Sequence, residues 1–252
     1  MMFGPIRKPR TLTALPVYNE RPHVMAVVDG ALAFSREVLV VDDGSTDGTT
    51  QLLLRRRDIR LVRHATNRGY GAAIRSAFEF ALRGGYDILV TIDCDGQHEP
   101  RWIPTLVEHC QQADIASGSR YLQRFPGDAD PPPERRRINQ IITAELNRRL
   151  GLQLTDAFCG FKAYRTAGLA ELRLTEDGYA MPLELWVQAV RLGWRIVEVA
   201  VPRVYLDESR SFGGALDRPE IRLAEYRRVL ERALAAWPAS VAAREAVVGG
   251  AP

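Results

Sequence analysis

"EVLVVDDGSTDGTTQLLLRRR", Glu37 to Arg57, changes character twice within one short stretch. It opens as a Val/Leu run of the kind a buried strand needs (37–43). It then passes through a turn of Asp, Gly, Ser and Thr, residues suited to turns and helix caps, and continues as a helix over 47–57. The same order repeats outward. "TLTALPV" (11–17), "IRLVRH" (59–64), "YDILVTID" (86–93) and "ADIASGSR" (113–120) read as further strands, with helices over roughly 20–34, 70–83 and 100–111. Strand–helix alternation predicts parallel strands joined by right-handed crossovers. The fold class is therefore α/β: a Rossmann-like, mostly parallel sheet flanked by helices on both faces.

The second half is less regular. "GDADPPPERRR" (127–137) is a proline-rich connection entering a helix over about 134–150. A strand over 158–165, a helix over 181–193 and a strand over 195–206 follow, then a last amphipathic helix. No linker separates two cores, so a single domain is expected. Its parts are an N-terminal extension (1–10), a catalytic domain (11–215), a C-terminal amphipathic helix (216–238) and a frayed tail (239–252).

With 252 residues, 46% hydrophobic and 26% charged, the chain has the composition of a globular protein. A net charge of +3 is too small to indicate nucleic acid, and the arginine runs lack interleaved aromatics. Cys94, Cys110 and Cys159 are too few and scattered for a disulfide framework or zinc site, which favours a reducing, cytoplasmic setting. No stretch approaches the roughly 20 apolar residues of a membrane span.

The chemistry lies at the strand ends, where parallel sheets bind ligands. The early strands end in "PVYNE", "VDDGSTDGT", "DCDGQH" and "GSRY". Asp93 and Asp95, two residues apart, can face one point on an extended segment. Two like charges so close suit a divalent cation completed by substrate phosphates, Mg²⁺ or Mn²⁺. The plainer alternative is a turn ending the strand with solvated carboxylates. Asp42 and Asp43 together are more acidic than a turn requires, and a carboxylate there can accept a base N–H or a ribose hydroxyl; Asp47 suits a helix cap. "NRGYGAA" (67–73) lacks the full dinucleotide or P-loop pattern. His23, His64 and His109 read as incidental, and His98 as support for the acidic pair.

Taken together, "ALPVYNE", "VVDDGSTDGT", "NRGYGAA", "IDCDGQHEP", "GSRY" and "TDAFCGFKAYR" resemble, in order, the motif set of family 2 glycosyltransferases. The similarity is greatest to the dolichyl- or polyprenyl-phosphate mannosyl- and glucosyltransferase branch and spans roughly residues 11–206. The resemblance implies the glycosyltransferase A-type fold, an inverting mechanism, a nucleotide-diphosphate sugar donor (GDP- or UDP-sugar) and a divalent metal. It implies that Pro16, Tyr18, Glu20, Val41 and Asp43 hold the nucleoside. Asp93, Cys94, Asp95 and Gln97 would meet the metal and diphosphate, with the metal on Asp93, Asp95 and Gln97. Arg120 and Arg135 would meet an acceptor phosphate. Asp156 is the candidate base a hydroxyl acceptor would need, the alternative being a loop aspartate bonded to backbone amides.

One departure stands out. Where that branch carries Arg-x-x-Gly-x-Ser-Lys, this chain reads "LDESRSFGG" (206–214), with Arg210 as the replacement clamp on the diphosphate. With no membrane span, a polyprenyl-phosphate acceptor would require peripheral contact at the cytoplasmic membrane face or a membrane partner. A soluble or other lipid hydroxyl acceptor, a nucleotidyltransferase and a catalytically silent nucleotide-sugar binder are the alternatives. The last helix, with Arg222, Arg227, Arg228 and Arg232 opposite its apolar stripe, either packs on the domain or lies on an anionic membrane.

Overall fold

A computed structural model of the chain describes residues 8–204 and 213–236. The strands are β1 (Thr11–Val17), β2 (Val38–Asp42), β3 (Arg60–Arg63), β4 (Ile88–Thr91), β5 (Ile115–Ser119), β6 (Lys162–Arg165) and β7 (Ile196–Ala200). The helices are α1 (Val24–Phe34), α2 (Thr49–Leu53), α3 (Tyr70–Arg83), α4 (Ile103–Cys110), α5 (Pro133–Leu150), α6 (Thr166–Leu169), α7 (Met181–Arg191) and α8 (Pro219–Ala236). Each expected strand is present; the four-residue α6 has no signal in the hydrophobic periodicity.

One sheet runs β3-β2-β1-β4-β6-β5-β7. β1, β2, β3 and β4 pair in parallel, as do β5 and β7, whereas β6 is antiparallel to both neighbours. Successive side chains in a strand point to opposite faces, so the all-apolar runs fill two cores. Leu39 and Val41 join α3, α5, α7 and α8 on one face. Val38 and Val40 join α1 and α4 on the other.

α8 shares the first of these cores. Tyr226, Val229, Leu230 and Ala233 are buried in it, and Phe158 stacks on Tyr226 with ring centres 4.7 Å apart. Ion pairs fasten the outer face: Arg227 with Glu145 at 3.2 Å, Arg149 with Glu231, and Arg232 with Glu176. The apolar stripe thus packs on the domain, the first of the two expectations. No helix among the described residues is long and apolar enough to cross a membrane.

Trp186 on α7 is fully buried and donates its Nε1–H to the carbonyl of Ala157 at 2.9 Å, tying the first core to the loop before β6. Truncation would leave both a cavity and an unsatisfied carbonyl. Trp186→Ala is expected to lower stability by about 3–5 kcal/mol, read as a shift of the urea midpoint.

Candidate active site

The loops after β1, β2, β4 and β5 converge on a cleft of about 400 Å³, within the range of small-molecule sites. Pro16, Tyr18, Glu20, Asp43, Asp93, Cys94, Asp95, Gln97, Arg120 and Arg135 all line it, so one cavity gathers nearly every residue singled out above. Val41 does not: it is fully buried in the core beneath, because its position in β2 turns it toward α3. Arg210 lies outside the described residues.

The loops are built before any ligand is considered. Asn19, with φ 55°, accepts the Thr46 N–H on Oδ1 at 2.8 Å, while its own N–H bonds the Ser45 hydroxyl at 2.9 Å. "PVYNE" and "DGSTD" are therefore one unit. Asp42 faces inward to Ser45 N at 3.0 Å and Thr50 Oγ at 2.5 Å, and so serves the turn. Asp47 accepts from Thr49 N at 2.9 Å, a turn bond two residues on; the cap of α2 is Gly48 and not Asp47 as expected. Asp43 accepts the N–H groups of Arg68 and Gly69 at 2.9 and 2.8 Å, fixing the glycine-rich loop against β2. Gly69 holds φ 101°, a conformation that penalises any side chain.

Asp93 and Asp95 both line the cleft. Burial and then the charge of Asp95 push the Asp93 carboxyl up to about 6. The Tyr70 hydroxyl donates to Asp93 at 3.2 Å, and the buried ammonium of Lys162 acts on it from below. A Cβ on Gly160 would fall on the Asp93 carboxylate, so the strand-entry "FCGF" needs glycine for close approach. Gln97 donates its backbone N–H to Asp95 Oδ1 at 3.0 Å. Among the described residues no three or more His, Cys, Asp or Glu side chains gather as a self-sufficient metal cage. The donor set still fits a hard divalent cation, because two mutually repelling carboxylates and an amide face the cleft, leaving room for phosphate oxygens. His98 lines the cleft with its Nδ1 buried and unpartnered and its Nε2 3.8 Å from Asp93. Burial pushes the imidazole down to about 4, so it is neutral near pH 7.

Arginines dominate the opposite wall. Arg120 forks onto Asp156, Nε to Oδ2 at 2.7 Å and Nη2 to Oδ1 at 3.0 Å. Asn139 adds a bond to Asp156 Oδ1 at 2.7 Å, and Glu198 accepts the backbone N–H groups of Thr155 and Asp156. Asp156 is fully buried and is not part of the cleft lining. Burial raises its carboxyl, but Arg120 and Asn139 more than offset that and hold it well below the usual carboxylate range. The general-base expectation for Asp156 is thus corrected: it is the counter-ion that aims Arg120, with neither the proton affinity nor the access a base needs.

Several lining residues were not named as site residues from the sequence, although Tyr121 and Tyr70 lie within "GSRY" and "NRGYGAA". Arg222, expected on the polar face of α8, is 4% exposed, lines the cleft and bonds the Leu216 carbonyl at 2.8 Å. Tyr121 carries the Arg136 guanidinium 3.5 Å above its ring centre. Tyr179 stacks on Tyr70 at 5.8 Å, presented by a loop whose amides at Thr175 and Glu176 both bond the buried Glu184. The signals were faint: a buried face of α8 wide enough to include Arg222, and a tyrosine in a Gly-Tyr turn.

Comparison with known proteins gives the family and the fold. Residues 13–173 match the family model described as "Glycosyl transferase family 2". The undecaprenyl-phosphate mannosyltransferase of Micrococcus luteus is 34% identical over 231 residues, covering 86% of this chain and 93% of that protein. The polyprenol monophosphomannose synthase of Mycolicibacterium smegmatis is also 34% identical, over 232 residues and 86% of each chain. Among solved structures, glucosyl-3-phosphoglycerate synthase of Mycobacterium tuberculosis, in complex with Mg²⁺ and UDP, superposes with a TM-score of 0.65 at 22% identity, covering 92% of this chain and 81% of that one. The fold is accordingly that of the glycosyltransferase A type.

Because Asp156 neutralises a buried guanidinium, Asp156→Asn is expected to cost about 3–5 kcal/mol of folding stability in urea titration at neutral pH. The native carboxyl sits below its unfolded value, so its stabilisation is present at neutral pH. In the wild type it fades as pH drops below about 4, a dependence the variant lacks. A base would behave otherwise, with wild-type stability and turnover alone abolished.

Proposed function

The chain belongs to the family 2 glycosyltransferases, and on that premise we propose that it moves a sugar from a nucleotide-diphosphate donor to a polyprenyl phosphate, with inversion and with a divalent cation. The observation that carries the acceptor assignment is the pairing of Arg120 with Asp156: the cleft lining includes the guanidinium groups of Arg120 and Arg135, while the carboxylate a hydroxyl acceptor would need as base is buried behind Arg120. A phosphate monoester is already ionised and needs only to be held, for which the planar fork of arginine is suited. The names of the two polyprenyl-phosphate relatives support the same acceptor.

In this reading the donor lies along the first two loops, with Pro16, Tyr18, Glu20 and Asp43 around the nucleoside and Cys94 beneath it. Asp93, Asp95 and Gln97 would hold the cation, Mg²⁺ or Mn²⁺. When bound, it would neutralise charge growing on the departing diphosphate. Arg120 and Arg135 orient the acceptor phosphate for attack on the anomeric carbon from the face opposite the leaving group. The neutral imidazole of His98 stands behind Asp93 without adding charge. Each well-placed group stabilising transition-state charge contributes about 3–4 kcal/mol. The acceptor places the working enzyme at a cytoplasmic membrane surface, by peripheral contact or through a membrane partner.

Incubation with radiolabelled GDP- and UDP-sugars tests the assignment. Label is expected to enter the organic phase only when polyprenyl phosphate is supplied, and label appearing solely in water-soluble product would refute it. Asp95→Ala is expected to abolish the Mn²⁺-dependent thermal shift produced by a nucleoside diphosphate. In the wild type that shift should weaken as pH falls through about 6, because a protonated Asp93 no longer binds a cation.

A further inference from the structure

His64, just after β3, is 6% exposed and bonded at both ring nitrogens. Nδ1 lies 2.6 Å from Asp43 Oδ1, and Nε2 lies 2.9 Å from the Ser76 hydroxyl on α3. An ionised carboxylate only accepts, so the hydrogen between His64 and Asp43 belongs to Nδ1, and the Ser76 hydroxyl rotates to complement Nε2. The backbone carries the arrangement too: His64 N–H bonds the Asp42 carbonyl at 2.9 Å, extending the β2–β3 ladder by one residue.

Asp43 thereby receives donors from three directions. His64 and Arg68 N address Oδ1, and Gly69 N addresses Oδ2. Two amides from adjacent residues leave the carboxylate able to swivel with their loop. The imidazole, anchored at the end of β3 and on the second turn of α3, removes that freedom. What remains of Asp43 toward the cleft is acceptor capacity on Oδ2, in a group only 3% exposed.

We propose that His64 is a positioning residue for nucleoside recognition: it orients the Asp43 carboxylate so that its open lone pair meets an N–H or O–H donor on the nucleoside. The inference rests on the reading above that Asp43 contacts the nucleoside, and it adds a side chain that no motif includes. It also explains why a histidine sits beneath a loop whose amides already bond the same carboxylate.

The test uses the full-length protein with Mn²⁺ and two probes, UDP and GDP, titrated calorimetrically, alongside acceptor KM and thermal midpoints. His64→Leu is expected to weaken whichever diphosphate the wild type binds by about 10- to 100-fold, as loss of a residue supporting a ligand-binding group does. Acceptor KM should stay unchanged, a split that general loosening of the fold would not give. His64→Asn places an amide donor where Nδ1 stood and is expected to recover most of the loss. Wild-type affinity in His64→Leu would overturn the proposal, as would failure of a well-folded His64→Asn to recover. Should His64→Leu not fold, His64→Gln, which keeps the bulk but moves the donor outward, reads the same split. Asp43→Asn separates the two inferences: undiminished affinity there removes the nucleoside assignment of Asp43 itself. Weakening in Asp43→Asn without weakening in His64→Leu removes only the role of His64.

Discussion

Buried carboxylates that accept backbone N–H groups are the constraint on which this site depends. An ionised group out of water is tolerated only when hydrogen bonds or a counter-charge replace its hydration. At the C-terminal edge of the sheet that demand organises the loops. Asp43 gathers the glycine-rich turn, Asp42 closes the turn after β2, Glu184 holds the loop that presents Tyr179, and Glu198 holds the residues on either side of the Thr155–Asp156 bond. Each carboxylate lies on or beside a regular element while its donors lie on an irregular one. The sheet thus transmits its rigidity to segments with no ladder of their own.

The result is a cleft with opposite electrostatic walls. Asp93 and Asp95 repel each other on one side, and Arg120 and Arg135 stand on the other. The two walls are unequal in kind. On the acidic wall burial and the charge of Asp95 raise the Asp93 carboxyl against the opposing pull of Lys162, Tyr70 and Arg120. On the basic wall Arg120 is already paired with Asp156, which costs the fold a buried ion pair but fixes where the guanidinium points. The antiparallel β6 lies between these walls. It brings Gly160 against Asp93 and Lys162 beneath it, so the strand that breaks the parallel pattern also shapes the acidic wall.

Much of this was legible in the chain. Continuous apolar runs ended by polar turns located every strand, and the residue types at those ends named the polar part of the cleft that the first loops supply. The exceptions are instructive. Val41 sits in the right segment and on the same face as Asp43, but it lies within β2 and is covered by the core, whereas Asp43 lies just past the strand end and reaches the cleft. Asp156 has the chemistry of a base until Arg120, thirty-six residues earlier, is found bonded to it. His64 looked incidental because nothing in "RLVRH" shows that its ring meets Asp43 and Ser76.

Sequence by itself determined the alternation of strands and helices, the ligand-bearing strand ends and the family, because each depends on local periodicity or on short motifs whose residues are neighbours in the chain. Tertiary structure alone decided which carboxylates are available for chemistry and which are consumed by holding loops, and which face of α8 carries Arg222 into the cleft. The physical reason is that the charge state and access of a carboxylate follow from the groups around it, and in this fold those groups arrive from distant parts of the chain.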